Sequence, residues 1–391
     1  MNAVVDSVHS MLGFVVGAGP APLHEPFLHA ADRDNVAAVV QGGFVSSIGI
    51  AIADFETELA TFTGAKHAVA LVNGTAALHL ALHCTGVEPG DEVLVPALTF
   101  AATAHAVLMA HAEPHFVDSC PNTLGIDVAA LRDYLHQKAK IKDGNCYNRD
   151  TGRRIKAIMP VHIFGHIGDI EGLLELASDY HLDVIEDAAE ALGSSKNGIH
   201  AGLFGKAGAI SFNGNKIITT GGGGAVVTND DALARRLRHV ATTAKHTHPY
   251  RYFHDETGFN YRMPALNAAL GNSQLEQLPR FLEIKKDLAE RYRDACQNAD
   301  GFSFLNAPEG SNSNNWLNAI WLSNGSLELR DHILEQVNAL GYGCRPIWDL
   351  LTGLPHLKRY QSMSLFNAPR IAQSVINVPS GVAVMIGFQG E

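Results

Sequence analysis

Cysteine is scarce and unpatterned in this 391-residue chain. Cys84, Cys120, Cys146, Cys296 and Cys344 are odd in number, widely spaced and form no Cys-x-x-Cys pair. That excludes a disulfide framework and a cysteine-based zinc site, and predicts reduced thiols in a cytoplasmic protein. Positive charge is short too. With 29 Lys and Arg against 40 Asp and Glu, the net charge is −11, which argues against nucleic acid as a partner. No apolar run approaches the ~18 residues of a membrane span, so no membrane partner is expected. The segment Met11–Val16 is apolar, but it lacks a basic flank and follows Asp6, unlike a secretory signal. Also missing are Gly-x-Gly-x-x-Gly, which a nicotinamide oxidoreductase would carry, internal repeats and low-complexity segments. Gly202-Leu-Phe-Gly205-Lys206 fails as a P-loop, because His200 stands where glycine is needed and Ala207 where Ser or Thr is needed. His162 and His166 have metal-ligand spacing, but Gly165 speaks against the helix that His-Glu-x-x-His requires, so no metal site is assigned.

What remains is a large apolar content. At 46% hydrophobic residues the chain can bury roughly 75% of its unfolded surface without a staple. From Ala68 onward, short apolar runs alternate with helical patterns: 68–72, 92–96, 113–118, 156–162, 182–186, 208–212 and 225–228 read as strands. The alternation predicts an α/β domain with a mixed, mostly parallel sheet. The stretch 138–154 is polar, with turn signals at Asp143-Gly144-Asn145, and reads as an exposed loop or hairpin insertion. Leu266–Leu275 and Gln277–Gln297 read as two helices. A domain boundary is placed near the second, giving a large domain over 1–275 and a smaller C-terminal α+β domain over 276–391.

The candidate site gathers around Lys216, which lies in a turn between two core strands and is followed by Gly221–Gly224. A lysine held there loses hydration, which favours the neutral, nucleophilic amine; a snorkelling surface lysine would leave the same local pattern. Gly74-Thr75 joins a strand to a helix, the arrangement that seats a phosphate on backbone N–H groups or that simply connects two elements. Phe100 stands at a strand end, on the rim where open α/β sheets bind ligands, though a core phenylalanine can stand there too. Asp187 ends a buried strand, with Glu190 just after it, a costly place for a carboxylate unless it is paired or caps a helix. A phosphate seat, a flat aromatic, a carboxylate and a lysine are together what pyridoxal 5'-phosphate (PLP) asks for.

The segments Asn73-Gly-Thr-Ala-Ala-Leu78, Pro89–Pro96, Thr99-Phe-Ala-Ala-Thr103, Pro160–His166, Glu186-Asp-Ala-Ala-Glu190, Ser211–Lys216 and Gly258–Met263 resemble the DegT/DnrJ/StrS family of nucleotide-sugar aminotransferases. The resemblance implies the type I aminotransferase fold and PLP as cofactor. It implies that Lys216 forms the Schiff base and shuttles the proton, and that Asp187 pairs with the pyridine nitrogen. Glu190 would lie near the 3′-oxygen, Phe100 would stack on the ring, and Gly74, Thr75 and Ser211 would hold the phosphate. Asn260 would reach the phosphate from a second subunit, making the enzyme a homodimer with shared sites. The 211–220 turn, Phe253-His-Asp-Glu256 and 258–264 are similar to the aminotransferases of legionaminate and bacillosamine biosynthesis. That subgroup implies glutamate as donor and a UDP-linked 2-acetamido-2,6-dideoxy-4-hexulose as acceptor. The perosamine type, acting on GDP-linked 4-keto-6-deoxymannose, shares the Gly-Asn-Lys turn and is the alternative. The basic loop from Lys245 to Arg262 would meet either diphosphate. A same-fold sugar dehydratase would carry histidine in place of Lys216, and a regulatory relative would lack Lys216 or Asp187.

Overall fold

The computed structural model describes residues 2–389. The chain opens with helices α1 (Asn2–Val16), α2 (Ala30–Gly42) and α3 (Ile50–Thr63). The alternating part follows as β1 (His67–Leu71), α4 (Gly74–Cys84), β2 (Glu92–Pro96), α5 (Ala102–Met109), β3 (Glu113–Val117) and α6 (Val128–Lys138). A hairpin of β4 (Ala139–Lys142) and β5 (Asn145–Asn148) precedes β6 (Arg154–Ile158), α7 (Ile170–Asp179) and β7 (Asp183–Asp187). Two short strands, β8 (Ser195–Lys196) and β9 (Ile199–His200), lead to β10 (Ala207–Ser211), β11 (Gly224–Thr228) and α8 (Asp231–Ala241). Helix α9 (Ala265–Ala295) then crosses to β12 (Phe302–Phe304), β13 (Ser311–Asn312), β14 (Asn318–Leu322) and α10 (Leu327–Ala339). The chain continues through β15 (Arg345–Pro346), α11 (Asn367–Ser374), β16 (Val375–Val378) and α12 (Val382–Gln389).

The main sheet has nine strands, with β1-β11-β10-β7-β6-β2-β3 as its path and the β4–β5 hairpin joined to β6. From β10 across to β3 the pairing is parallel, while β11 runs antiparallel to both neighbours. Strands β2, β7, β10 and β11 are buried along their whole length, as helix-covered strands of this kind must be. Their apolar centres are therefore legible, although Glu92, Asp183, Glu186 and Asp187 are buried within β2 and β7.

A second, antiparallel sheet, β12-β14-β16-β15, forms the α+β part with α10 and α11. The two helices expected around 266–297 are one, and the expected boundary at 275/276 falls inside it. Pro279 sits within α9 and removes a backbone hydrogen bond, yet the helix continues. Buried Asp32 of α2 grips it just before the proline, accepting hydrogen bonds from Gln274 Nε2 at 2.9 Å and Gln277 Nε2 at 3.0 Å.

The polar insertion is the β4–β5 hairpin, and buried Glu92 fastens it. Its carboxylate accepts from Asn148 Nδ2 at 2.9 Å and Thr151 Oγ1 at 2.5 Å, and meets His115 at 2.7 Å. All five cysteines are free thiols. Among the described residues no helix is long and apolar enough to cross a membrane.

Candidate active site

A cavity of about 340 Å³ opens at the carboxyl ends of the parallel strands, where open α/β sheets place their ligands. Gly74, Thr75, Phe100, Asp187, Glu190, Ser211 and Lys216 all line it. Asn260 does not; it is exposed, bridged to Thr242 at the foot of the basic loop.

The phosphate seat follows from helix geometry. Asn73 caps α4, its side chain accepting from Ala76 N at 2.7 Å. The amides of Gly74 and Thr75 in the first turn have no intrahelical acceptor, and the helix dipole adds positive potential there. A Cβ on Gly74 would stand 2.9 Å from Ser211 Cβ, and one on Gly224 would stand 2.5 Å from the Asn73 backbone. The two glycines thus let β10 and β11 approach the start of α4.

Asp187 closes β7 at the floor of the cavity and is 5% exposed. Thr103 in α5 donates to its Oδ2 at 2.7 Å, and Ala189 N donates to Oδ1 at 3.2 Å. Burial raises the Asp187 carboxyl above its ordinary value, against the pull of Thr103, Ala189, Lys216 and His162. A buried carboxylate with no ion-pair partner among the described residues fits a protonated ring nitrogen beside it.

Glu190 is likewise raised by burial, opposed chiefly by Lys216. One oxygen accepts from Phe164 N at 2.9 Å, and the other lies 3.3 Å from Lys216 Nζ. Phe164 holds a left-handed backbone, φ 58°, unusual for so bulky a residue. The Phe100 ring is 58% exposed on the cavity wall, an apolar plane free to be covered.

Lys216 sits in the turn after β10, where its N–H donates to Asn213 O at 2.9 Å. Its Nζ lies 3.9 Å from the ring centroid of Trp316. Trp316 Nε1 donates to Asn215 O at 2.7 Å, so this ring from the C-terminal part is pinned to the lysine turn.

Trp316, Trp348, Thr99 and Asn213 also line the cavity, and sequence reasoning assigned them no role. Thr103 supports it from behind. The threonines lie inside the family-like segment Thr99–Thr103, but only the fold aims a hydroxyl at Asp187. Trp316 is remote in sequence and reaches the site through the second sheet.

His162 turns away from the cavity and meets Glu186 at 2.8 Å, while Glu186 also accepts the amides of Gly202, Phe204 and Gly205. The basic loop lies apart from the cavity in the single chain. His246 is paired there with Asp255, and Lys245 lies over the Tyr252 ring.

A match to the DegT/DnrJ/EryC1/StrS aminotransferase family spans residues 26–386. The chain belongs to that family. It is 35% identical over 358 residues to a GDP-perosamine synthase of Caulobacter vibrioides, covering 91% of each chain. It is 39% identical over 272 residues to one of Escherichia coli O157:H7, covering 70% of each. A DegT/DnrJ/EryC1/StrS aminotransferase from Brucella abortus superposes with a TM-score of 0.80 at 28% identity, covering 92% of this chain and 96% of that one. The protein is thus a PLP-dependent sugar aminotransferase of the type I fold. The cavity fits PLP on its own evidence: free helix-terminal amides beside a serine, a buried carboxylate without a cation of its own, an uncovered phenyl plane and a lysine.

Proposed function

We propose that this DegT-family enzyme transfers an amino group from glutamate to the C4 ketone of GDP-linked 4-keto-6-deoxymannose. The observation that carries the nucleotide is end-to-end similarity to a GDP-perosamine synthase, 91% of both chains at 35% identity. It moves the preference from the UDP sugar suggested by local motifs to the GDP sugar. A UDP-linked 2-acetamido-4-hexulose is the second reading, favoured by the 211–220 turn and Phe253-His-Asp-Glu256.

In this reading Gly74, Thr75 and Ser211 would hold the cofactor phosphate, Phe100 would stack on the ring, Asp187 would face the ring nitrogen and Glu190 would lie near the 3′-oxygen. Bound PLP supplies the electron sink and carries the amine between substrates. The protein's own part is proton traffic and orientation. Lys216 Nζ takes the proton from the donor's α-carbon and later returns one at sugar C4. Glu190 and the Trp316 ring hold that amine over the cavity between transfers. Asp187, kept dry by burial, concentrates its charge on the ring nitrogen.

The working unit is a homodimer in which Asn260 and the basic loop of one chain complete the site of the other. Phe44, Ile48 and Ile50, exposed by 70%, 72% and 76%, offer apolar surface for a second copy to cover. Incubating the PLP-loaded enzyme with glutamate and each 4-keto nucleotide sugar, with product masses read by mass spectrometry, tests the substrate. Amination of the GDP sugar supports the first reading. Amination of the UDP sugar alone replaces it with the second, and loss of water without amine gain would make the enzyme a dehydratase.

A further inference from the structure

One buried charge in the molecule has no part in the site chemistry described so far. Lys285, on α9, is fully buried, and both of its partners are backbone carbonyls: Trp316 O at 3.0 Å and Ser380 O at 2.5 Å. Burying an ammonium without a carboxylate is costly, and an apolar residue there would avoid that cost. The arrangement therefore calls for a reason beyond packing. Burial lowers the Lys285 amine to about 7. Its neutral form keeps two N–H donors, one for each carbonyl, so the bridge survives loss of the proton.

His24, whose electrostatics Lys285 influences, offers no counter-charge. His24 is 6% exposed, its ring lies 6.2 Å from that of Trp316, and neither ring nitrogen has a hydrogen-bond partner. Burial first, then the charges of Lys285 and Lys216, hold its pKa well below the ordinary histidine value, so the imidazole is neutral.

What the bridge fixes is the backbone of Trp316. That residue is held at three further points. Its N–H donates to Asn314 Oδ1 at 2.9 Å, its Nε1 donates to Asn215 O at 2.7 Å, and its ring face covers Lys216 Nζ at 3.9 Å. Asn314 in turn donates through Nδ2 to Glu190 O and Leu192 O, each at 2.9 Å. A chain of contacts thus runs from α9 through Trp316 to the amine, and a second runs from Trp316 to the Glu190 backbone.

We propose that Lys285 is a positioning residue for the Lys216 amine, acting through Trp316. It fixes the carbonyl of Trp316, and with it the ring plane that holds Lys216 Nζ whenever that amine is not bonded to cofactor. The proposal rests on Lys216 being the proton-transferring residue. Without the bridge, the carbonyls of Trp316 and Ser380 lose their donor, the ring shifts off Nζ, and the amine is no longer covered.

The test is a double-mutant cycle on the cofactor-free full chain, read by pulse acetylation and peptide mass spectrometry. Lys216 acetylation is scored against exposed Lys286 in the same chain. Lys285→Met and Trp316→Ala are each expected to raise Lys216 acetylation about two- to five-fold, the worth of a partly shielded cation–π contact. The double variant is expected to go no further than Trp316→Ala alone, because both changes break one route. After loading with PLP, Lys285→Met should lower kcat more than it changes KM for the sugar. Lys285→Gln, which keeps an NH₂ group on a shorter side chain, should fall between, and it serves in place of Lys285→Met if that variant does not fold. Unchanged Lys216 acetylation in the Lys285 variant, or an effect that adds in full to that of Trp316→Ala, would overturn the proposal. If borohydride treatment of the loaded wild type marks a lysine other than Lys216, the site reading itself fails, and that outcome is separate from the cycle.

Discussion

Thr103 Oγ1 donates to Asp187 Oδ2 at 2.7 Å, from the first turn of one helix to the last residue of a buried strand. This bond favours the ionised carboxylate while burial opposes it. Thr103→Val keeps the shape and deletes the donor. The account expects PLP to bind about tenfold more weakly, in keeping with ~1.5 kcal/mol for a hydrogen bond to a charged group. Titration of the cofactor-free protein with PLP, followed by visible absorbance, reads the change. Unaltered affinity would mean that Asp187 does not act on the cofactor as an anion.

Asp187 also sets a pH dependence of stability. Its folded-state pKa is raised, so the folded chain binds more protons than the unfolded chain between the ordinary carboxylate value and the raised one. Stability is thus lost as pH climbs through that window and stays lost above it. Buried His79, His166 and His200, each lowered to about 4, run the other way. The clean measurement is therefore the difference between variant and wild type. Cofactor-free Asp187→Asn should melt about 2 °C or more above wild type at pH 8, with the gain shrinking at pH 5. The same variant should bind PLP poorly, because the charge that destabilises the empty site is the one the cofactor needs.

Gly74→Ala probes the phosphate seat. The added methyl would press on Ser211, with its Cβ 2.9 Å and its Oγ 3.1 Å away. Alanine suits a helix better than glycine, so the melting temperature of the cofactor-free protein should change little. PLP affinity should fall by about tenfold or more, since the serine and the helix amides must part, at about 1.5 kcal/mol for one charge-assisted bond lost. Equal affinity in the variant would move the phosphate away from Gly74.

The sequence pattern and the fold agree most closely where burial is two-sided. Strands such as β2 and β7 are buried throughout around apolar centres, and the residues at their carboxyl ends, among them Asp187, lie where that pattern directs them. Lys216 and Phe100 were legible for the same reason. Agreement fails where a distant segment decides. Residues 266–275 and 277–297 read as two helices, but Asp32, far earlier in the chain, holds Gln274 and Gln277 and the helix runs on through Pro279. Trp316 lies 100 positions after Lys216 in the sequence. Nothing local marks it as the ring above Lys216, because its place depends on how β14 and β16 pair and on Lys285 beneath it. Thr103 shows an intermediate case: its segment was marked, but its acceptor lies on another strand.

The central claim is that one lysine carries the cofactor. Loading the purified protein with PLP, reducing it with sodium borohydride and mapping peptides by mass spectrometry tests this directly. The account predicts loss of the visible band and a pyridoxyl mass on the peptide containing Lys216, absent in Lys216→Ala. A pyridoxyl mass on another lysine, or no stable adduct and no visible band in the wild type, would contradict it.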